Sequence, residues 1–102
     1  MIYSLVLHTA ATVDLDEIHQ RISLSSLDAA DRTYDRLKQA ILTLAEFPKR
    51  FPVAPESAKT SLEMRHTHVG NYRIIFSILG EQVHVWRVVH AARQSLDPGE
   101  LN

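Results

Sequence analysis

Glu63-Met-Arg-His-Thr-His-Val-Gly-Asn-Tyr-Arg-Ile-Ile-Phe-Ser-Ile-Leu-Gly-Glu-Gln-Val-His-Val-Trp-Arg-Val-Val-His-Ala-Ala-Arg93 is the stretch on which the fold turns. Gly70-Asn71 and Gly80-Glu81 are two-residue turn signals, and the runs they separate are rich in β-branched and aromatic residues, the composition of strands joined by hairpins. The stretch therefore predicts a three-stranded meander. In its middle strand Tyr72, Ile74, Phe76 and Ile78 share one face and Arg73, Ile75, Ser77 and Leu79 the other, by the period of two. In its third strand Val83, Val85, Arg87 and Val89 alternate with His84, Trp86, Val88 and His90. Arg65, Arg73, Arg87 and Arg93 recur through these apolar runs, with His66, His68, His84 and His90 between them. A sheet so rich in cations calls for an anionic partner.

Upstream, residues 2–8 read as a strand with alternation weak enough that either face can be buried. Thr9 offers an N-cap. Ala11, Leu15, Ile18 and Ile22 recur at helical spacing, with Asp14, Asp16 and Glu17 in the early turns where the helix dipole favours negative charge; the helix is expected from about Ala10 to Ser23. Ser26 can cap a second helix carrying Ala30, Tyr34, Leu37, Ile41 and Leu44 at spacings of four and three. Phe47-Pro48 stops it, because proline disfavours a helical residue before it. Pro48, Pro52 and Pro55 make the segment through Thr60 an extended connector with Lys49 and Arg50 exposed. The order is β-α-α-β-β-β, an α+β domain with a helical hairpin packed on a small antiparallel sheet. Residues 1–98 are expected to form this single domain and 99–102 a short tail.

The chain has 102 residues, 45% of them hydrophobic and 23% charged, enough for one core without disulfides or metal to hold it together. With no cysteine, neither a disulfide framework nor thiolate chemistry is available, which suits a reducing cytoplasm. The apolar run from Ile2 to Leu7 is too short to span a membrane and lacks a basic leader. A cytoplasmic protein with no membrane partner is expected. The net charge of −1 hides a segregation: residues 1–46 hold four Lys/Arg against seven Asp/Glu, and residues 47–93 hold seven against three. The cationic half is the sheet half, and such a distribution reads either as a solvated basic face or as one that can steer the domain toward phosphate or an acidic protein.

No glycine loop that could cradle a phosphate exists, and nothing resembles a nucleophile elbow. His66 and His68 lie on one strand face at a spacing metals use, yet two ligands do not close a site; neither metal nor cofactor is expected. Three guanidinium groups on adjacent strands, from Arg65, Arg73 and Arg87, can converge on one patch and bind phosphate bidentately. With His90 or His66 as proton carrier this would be a metal-free ribonuclease site. The alternative is that Arg73 and Arg87 pair with carboxylates such as Glu63 and Glu81 across the sheet. Tyr72, Phe76 and Trp86, embedded in apolar strands, read as core or partner-facing residues.

Val69-Gly70-Asn71-Tyr72-Arg73-Ile74-Ile75-Phe76 and Val85-Trp86-Arg87-Val88-Val89-His90-Ala91-Ala92-Arg93, with the element order, resemble the RelE/ParE superfamily of bacterial toxins. Thr9 to Leu15, Leu44 to Pro48 and Met64-Arg65 are similar to the family's helix opening, helix-ending Leu-x-x-Phe-Pro and hydrophobic-arginine pair. The resemblance implies the toxin of a type II toxin-antitoxin pair, forming a hetero-oligomer with a cognate antitoxin encoded by an adjacent gene. It also implies two activities. The RelE-like branch cleaves mRNA on the ribosome, and Arg73 after Tyr72 matches its arginine; catalysis would fall to Arg65, Arg73, Arg87, His90 and His66. This chain departs from that branch in having Met64 and His66 where the well-known ribonuclease has lysines, and no tyrosine follows Arg93. The ParE-like branch inhibits DNA gyrase by binding, and Arg87-Val-Val-His90-Ala-Ala-Arg93 is similar to its Arg-Val-x-His-x-x-Arg. Arg73, Arg87, His90 and Arg93 would then bind the target. The ParE-like reading is preferred, the mRNA interferase is the alternative, and a non-toxic antitoxin-binding domain is the third. An antitoxin helix is expected on the apolar surface left between hairpin and sheet, near Tyr34, Leu37 and Ile41, with core burial the other reading of each.

Overall fold

The computed structural model describes residues 2–101, so Met1 and Asn102, the outermost residues of the expected domain and tail, lie outside the described residues. Its elements are β1 (Ser4–Leu7), α1 (Thr9–Ser23), α2 (Leu27–Thr43), β2 (Arg65–Val69), β3 (Tyr72–Leu79) and β4 (Gln82–His90). Short 3-10 turns occupy Pro48–Arg50, Pro55–Lys59 and Pro98–Leu101. The β-α-α-β-β-β order and the meander are as the sequence predicts. Gly70 and Gly80 open the two hairpin turns with φ of +56° and +61°, values that a side chain resists and glycine does not.

The strands lie in the order β1-β4-β3-β2. β2, β3 and β4 are antiparallel neighbours, but β1 runs parallel to β4 with Ser4 opposite Gln82 and Leu7 opposite Val85. The sheet is therefore mixed, where a wholly antiparallel one was expected. Parallel neighbours need a long crossover, and everything from α1 to β3 supplies it.

Three local differences from the sequence reading have physical causes. Thr9 is already helical; His8 is the N-cap, extended and without a side-chain cap bond, because its ring is engaged by His84 instead. Ser26 caps α2 as expected, accepting from the Ala29 N–H at 3.1 Å. That helix ends at Thr43 with Leu44 as its C-cap, short of the proline, and Phe47 then takes the left-handed conformation at φ 48° with 68% of its surface exposed. A non-glycine residue there is strained.

The sheet is covered on both faces. Ala11, Leu15 and Ile18 of α1 and Leu37 and Ile41 of α2 pack with Ile74, Phe76, Val83, Val85 and Val88. On the far face Ala54 and Met64 from the connector join Ile75, Val89, Leu96 and Leu101. The segment read as a short tail thus closes the second core, with Leu101 only 4% exposed. A register shift opposite Ile75 and Phe76 also changes the phase of β4. Val85 and Val88 both face the helices while Trp86 and Val89 face the far core, so the strict alternation expected for this strand breaks at the bulge.

Because Phe47 is strained and mostly exposed, Phe47→Gly is expected to stabilise the fold by about 1 kcal/mol, the left-handed penalty less glycine's extra chain entropy. Denaturant midpoints of the two proteins check this; a lower midpoint for the variant would show that the ring's packing outweighs the strain.

Candidate functional site

The arginines of the sheet do not form one cationic patch. Arg73 projects from the middle of β3 into the far core, where a charged side chain must find a partner. It finds Glu56 in the Pro55–Lys59 turn: Nη1 donates to Oε1 at 2.8 Å and Nη2 to Oε2 at 2.7 Å. Glu56 is fully buried and Arg73 is 2% exposed. The Leu96 N–H donates to the same Oε2 at 2.8 Å. Burial by itself would raise the Glu56 carboxyl, but the hydrogen bonds from Arg73 and Leu96 hold it down to about 2. This pair ties the middle strand to the connector and to the C-terminal segment.

His66 lies beside it on β2, its Nδ1 3.1 Å from Arg73 Nη1. Guanidinium can only donate, so Nδ1 is the acceptor and the imidazole is neutral. Burial, with the Arg73 charge adding to it, pushes the His66 pKa below its ordinary 6.5. The His68 ring stacks edge-on to it at 5.1 Å, and among the described residues no third donor joins them in a metal-binding group.

Arg87 is held by α1 and the C-terminal segment. Its Nε and Nη2 donate to the two carboxylate oxygens of Asp14 in α1 at 2.6 and 2.8 Å, and Nη1 donates to the Glu100 carbonyl. Asp14 also accepts from the Val88 N–H at 2.9 Å, where β4 has outrun β1 and its edge would otherwise be unpaired. The hydrogen bonds from Asp14 hold the Arg87 guanidinium more firmly protonated. Arg65 is engaged at the sheet's opposite edge, bonding Glu63 at 2.8 Å and the Phe51 carbonyl at 2.6 Å. Arginines and carboxylates do pair, but with Glu56 and Asp14 rather than with Glu63 and Glu81 as the partners of Arg73 and Arg87. In this structure Arg65, Arg73 and Arg87 each hold a different carboxylate.

What stays accessible lies at the end of β4. His90 is exposed, its Nδ1 accepting from the Ala92 N–H at 3.1 Å and its ring edge-on to Tyr72 at 5.6 Å. Arg93 is half-exposed and bidentate to Glu100 at 3.0 and 2.8 Å, a pairing that holds the Glu100 carboxyl below its ordinary range. A cavity of about 200 Å³ between α1 and β4 is lined by Arg21, Tyr72, Arg87, His90 and Arg93 together with Asp14 and Glu17. Of the residues expected near an antitoxin surface, Leu37 and Ile41 are core residues at 1% and 7% exposure, Leu37 also lining a cavity beside the β2–β3 turn, and Tyr34 is partly open.

Sequence reading missed Asp14, Glu56 and Glu100 as the partners. Asp14 carried a signal, since it sits between Ala11 and Ile18 at spacings of three and four on the apolar stripe of α1. Glu56 carried none, being one acid in a proline-rich connector.

A family model for the ParE toxin of the type II toxin-antitoxin system parDE matches residues 5–95. No curated protein sequence is similar enough to match. Among solved structures, the chromosomal ParDE toxin-antitoxin system from P. aeruginosa superposes with a TM-score of 0.71 at 16% identity, over 87% of this chain and 96% of that one. The RelBE2 toxin-antitoxin complex from Mycobacterium tuberculosis gives 0.58 at 26% identity, over 88% and 99%. The archaeal RelE–RelB complex from Pyrococcus horikoshii gives 0.61 at 19%, over 91% and 99%.

Breaking the buried pair by Glu56→Gln leaves the Arg73 charge uncompensated and is expected to cost about 3–5 kcal/mol. Glu100→Gln, at an exposed pair, should leave stability nearly unchanged. Chemical denaturation of both variants distinguishes them; equal midpoints would refute the burial assignment. A pH dependence follows from the histidines. His8, lowered by burial and by His84, and His66 both have depressed values in the fold, so the unfolded chain binds more protons below its ordinary 6.5 and stability is lost as pH falls through that value. A denaturation midpoint that stays flat from pH 7.5 to about 5.5 would contradict the lowered proton affinity of these half-buried rings.

Proposed function

Because the chain belongs to the ParE toxin family of type II toxin-antitoxin systems, we propose that it arrests growth in the ParE manner, by binding DNA gyrase rather than by cutting RNA. The observation that carries this reading is the internal use of the sheet's cations. A metal-free ribonuclease needs guanidinium groups free to hold the scissile phosphate and its developing charge. Arg73 is consumed by Glu56 and Arg87 by Asp14, while His66 presents to Arg73 the nitrogen it would need as a base. RNA cleavage would require Arg73 to leave a fully buried carboxylate.

In the proposed role Arg73 and Arg87 act as positioning residues. Arg73 locks β3 to the connector, and Arg87 locks the end of β4 to α1. His90 and Arg93, which those locks hold at the open end of the sheet, supply the contact with the target. The acidic-apolar segment of a cognate antitoxin, encoded by an adjacent gene, neutralises the toxin in a cytoplasmic hetero-oligomer. No helix of the described residues is long and apolar enough to cross a membrane.

Purified protein is expected to block supercoiling by gyrase and to stabilise cleaved DNA complexes, with no cleavage of mRNA on programmed ribosomes. Cleavage by the unsubstituted protein would favour the mRNA interferase instead, and inertness in both assays would favour the non-toxic antitoxin-binding domain. Arg93→Ala should weaken gyrase inhibition about tenfold, the scale of an interface residue's truncation, with an unshifted melting temperature. Arg73→Ala strands the buried Glu56 carboxylate and lowers stability.

A further inference from the structure

A cavity of about 290 Å³ lies between the helical hairpin and the β2–β3 turn, away from His90 and Arg93. Ile22, Leu37, Val69 and Tyr72 give it apolar walls, while Thr33, Arg36 and Asn71 bring polar groups to it. Arg36 is exposed on α2 and reaches across to the turn, so that its guanidinium nitrogens lie 3.6 Å from where a Cβ on Gly70 would stand.

The charge here is unbalanced in a way that the sheet's is not. Arg65, Arg73, Arg87 and Arg93 each have a carboxylate within ion-pairing distance. Arg36 has none among the described residues, where the remaining ion pairs involve His19 and Lys59. Its helical neighbours at three and four residues are Arg32, Thr33, Gln39 and Ala40, so no acid on α2 can neutralise it. Arg32 in fact repels it, a like-charge pair one turn apart that costs helix stability. A partner anion would relieve that repulsion, and the apolar walls would take the hydrocarbon beside it.

We propose that this cavity is an anchor site for the antitoxin, taking an aliphatic side chain into the Ile22, Leu37, Val69 and Tyr72 hollow and a neighbouring Asp or Glu carboxylate onto Arg36. The proposal rests on the antitoxin reading above and adds the site and its chemistry. Charge complementarity selects the occupant: an acidic segment is drawn to Arg32 and Arg36, and a bidentate guanidinium–carboxylate contact fixes its register. Gly70 at φ +56° keeps the turn free of a side chain under the Arg36 guanidinium.

Isothermal titration of the full chain with the antitoxin encoded beside it tests this, using the unsubstituted toxin, Arg36→Gln, Arg36→Glu and, as an exposed cation elsewhere, Arg50→Gln. Circular dichroism melts confirm that each variant folds. Arg36→Gln is expected to weaken binding about tenfold and Arg36→Glu further, as for truncation of one partner of an interfacial charge pair. Arg50→Gln should bind as the unsubstituted protein does. The unsubstituted toxin should also lose affinity with salt more steeply than Arg36→Gln. Tight binding by the unsubstituted toxin with equal affinity for both Arg36 variants would overturn the anchor site alone. No binding by the unsubstituted toxin would overturn the antitoxin reading beneath it.

Discussion

The fully buried pair of Arg73 and Glu56 is the constraint around which the far half of the molecule is arranged. A guanidinium in the middle of an apolar strand is tolerable only if every donor finds an acceptor out of water. The connector supplies the carboxylate, the Leu96 N–H takes one of its remaining lone pairs, and His66 accepts a further guanidinium proton. Satisfying Arg73 therefore brings together β2, the Pro55–Lys59 turn and the C-terminal segment, and the second core of Met64, Ile75, Val89, Leu96 and Leu101 forms around them. The proline-rich stretch between helix and sheet is thus structural, although on composition it reads as a loose linker.

Asp14 does the corresponding work on the helix side. One carboxylate receives the Arg87 guanidinium and the Val88 N–H, pinning α1 to β4 just where β1 stops pairing. The two locks use different partners, the connector for Arg73 and α1 for Arg87, yet both engage a cation internally. That is why Arg73 and Arg87 are withheld from partners, while His90 and Arg93 at the end of β4 and Arg32 and Arg36 on α2 remain exposed. Phosphate chemistry needs guanidinium groups without competing carboxylates, a condition that Arg73 and Arg87 do not meet in this structure.

Local signals made much of this legible in the sequence. Glycine turns, strand composition and a serine cap set the meander and the helical hairpin, because each depends on residues adjacent in the chain. Long-range choices were less visible. The parallel partnership of β1 with β4 depends on where a long crossover returns, and the bulge opposite Ile75 and Phe76 depends on packing of Trp86 against the far core, so neither shows in period-two alternation. The site suffered most. Arginine spacing on adjacent strands suggested convergence, but the carboxylates that separate Arg73 from Arg87 come from residues 17 and 73 positions away.

If Arg73 is neutralised inside the protein as described, Glu56 must stay ionised far into acid. Its stabilising contribution is complete above the ordinary carboxyl value of 4.5 and is lost progressively from there until pH has fallen through about 2. Carbon-13 NMR of the Glu56 side-chain carboxyl, followed through an acid titration of the folded protein, reads this directly. The account predicts no titration of that resonance across the ordinary carboxyl range and a midpoint near 2. A midpoint near 4.5 would place Glu56 in water, free Arg73 for an external anion, and contradict the claim that this sheet holds its cations for itself.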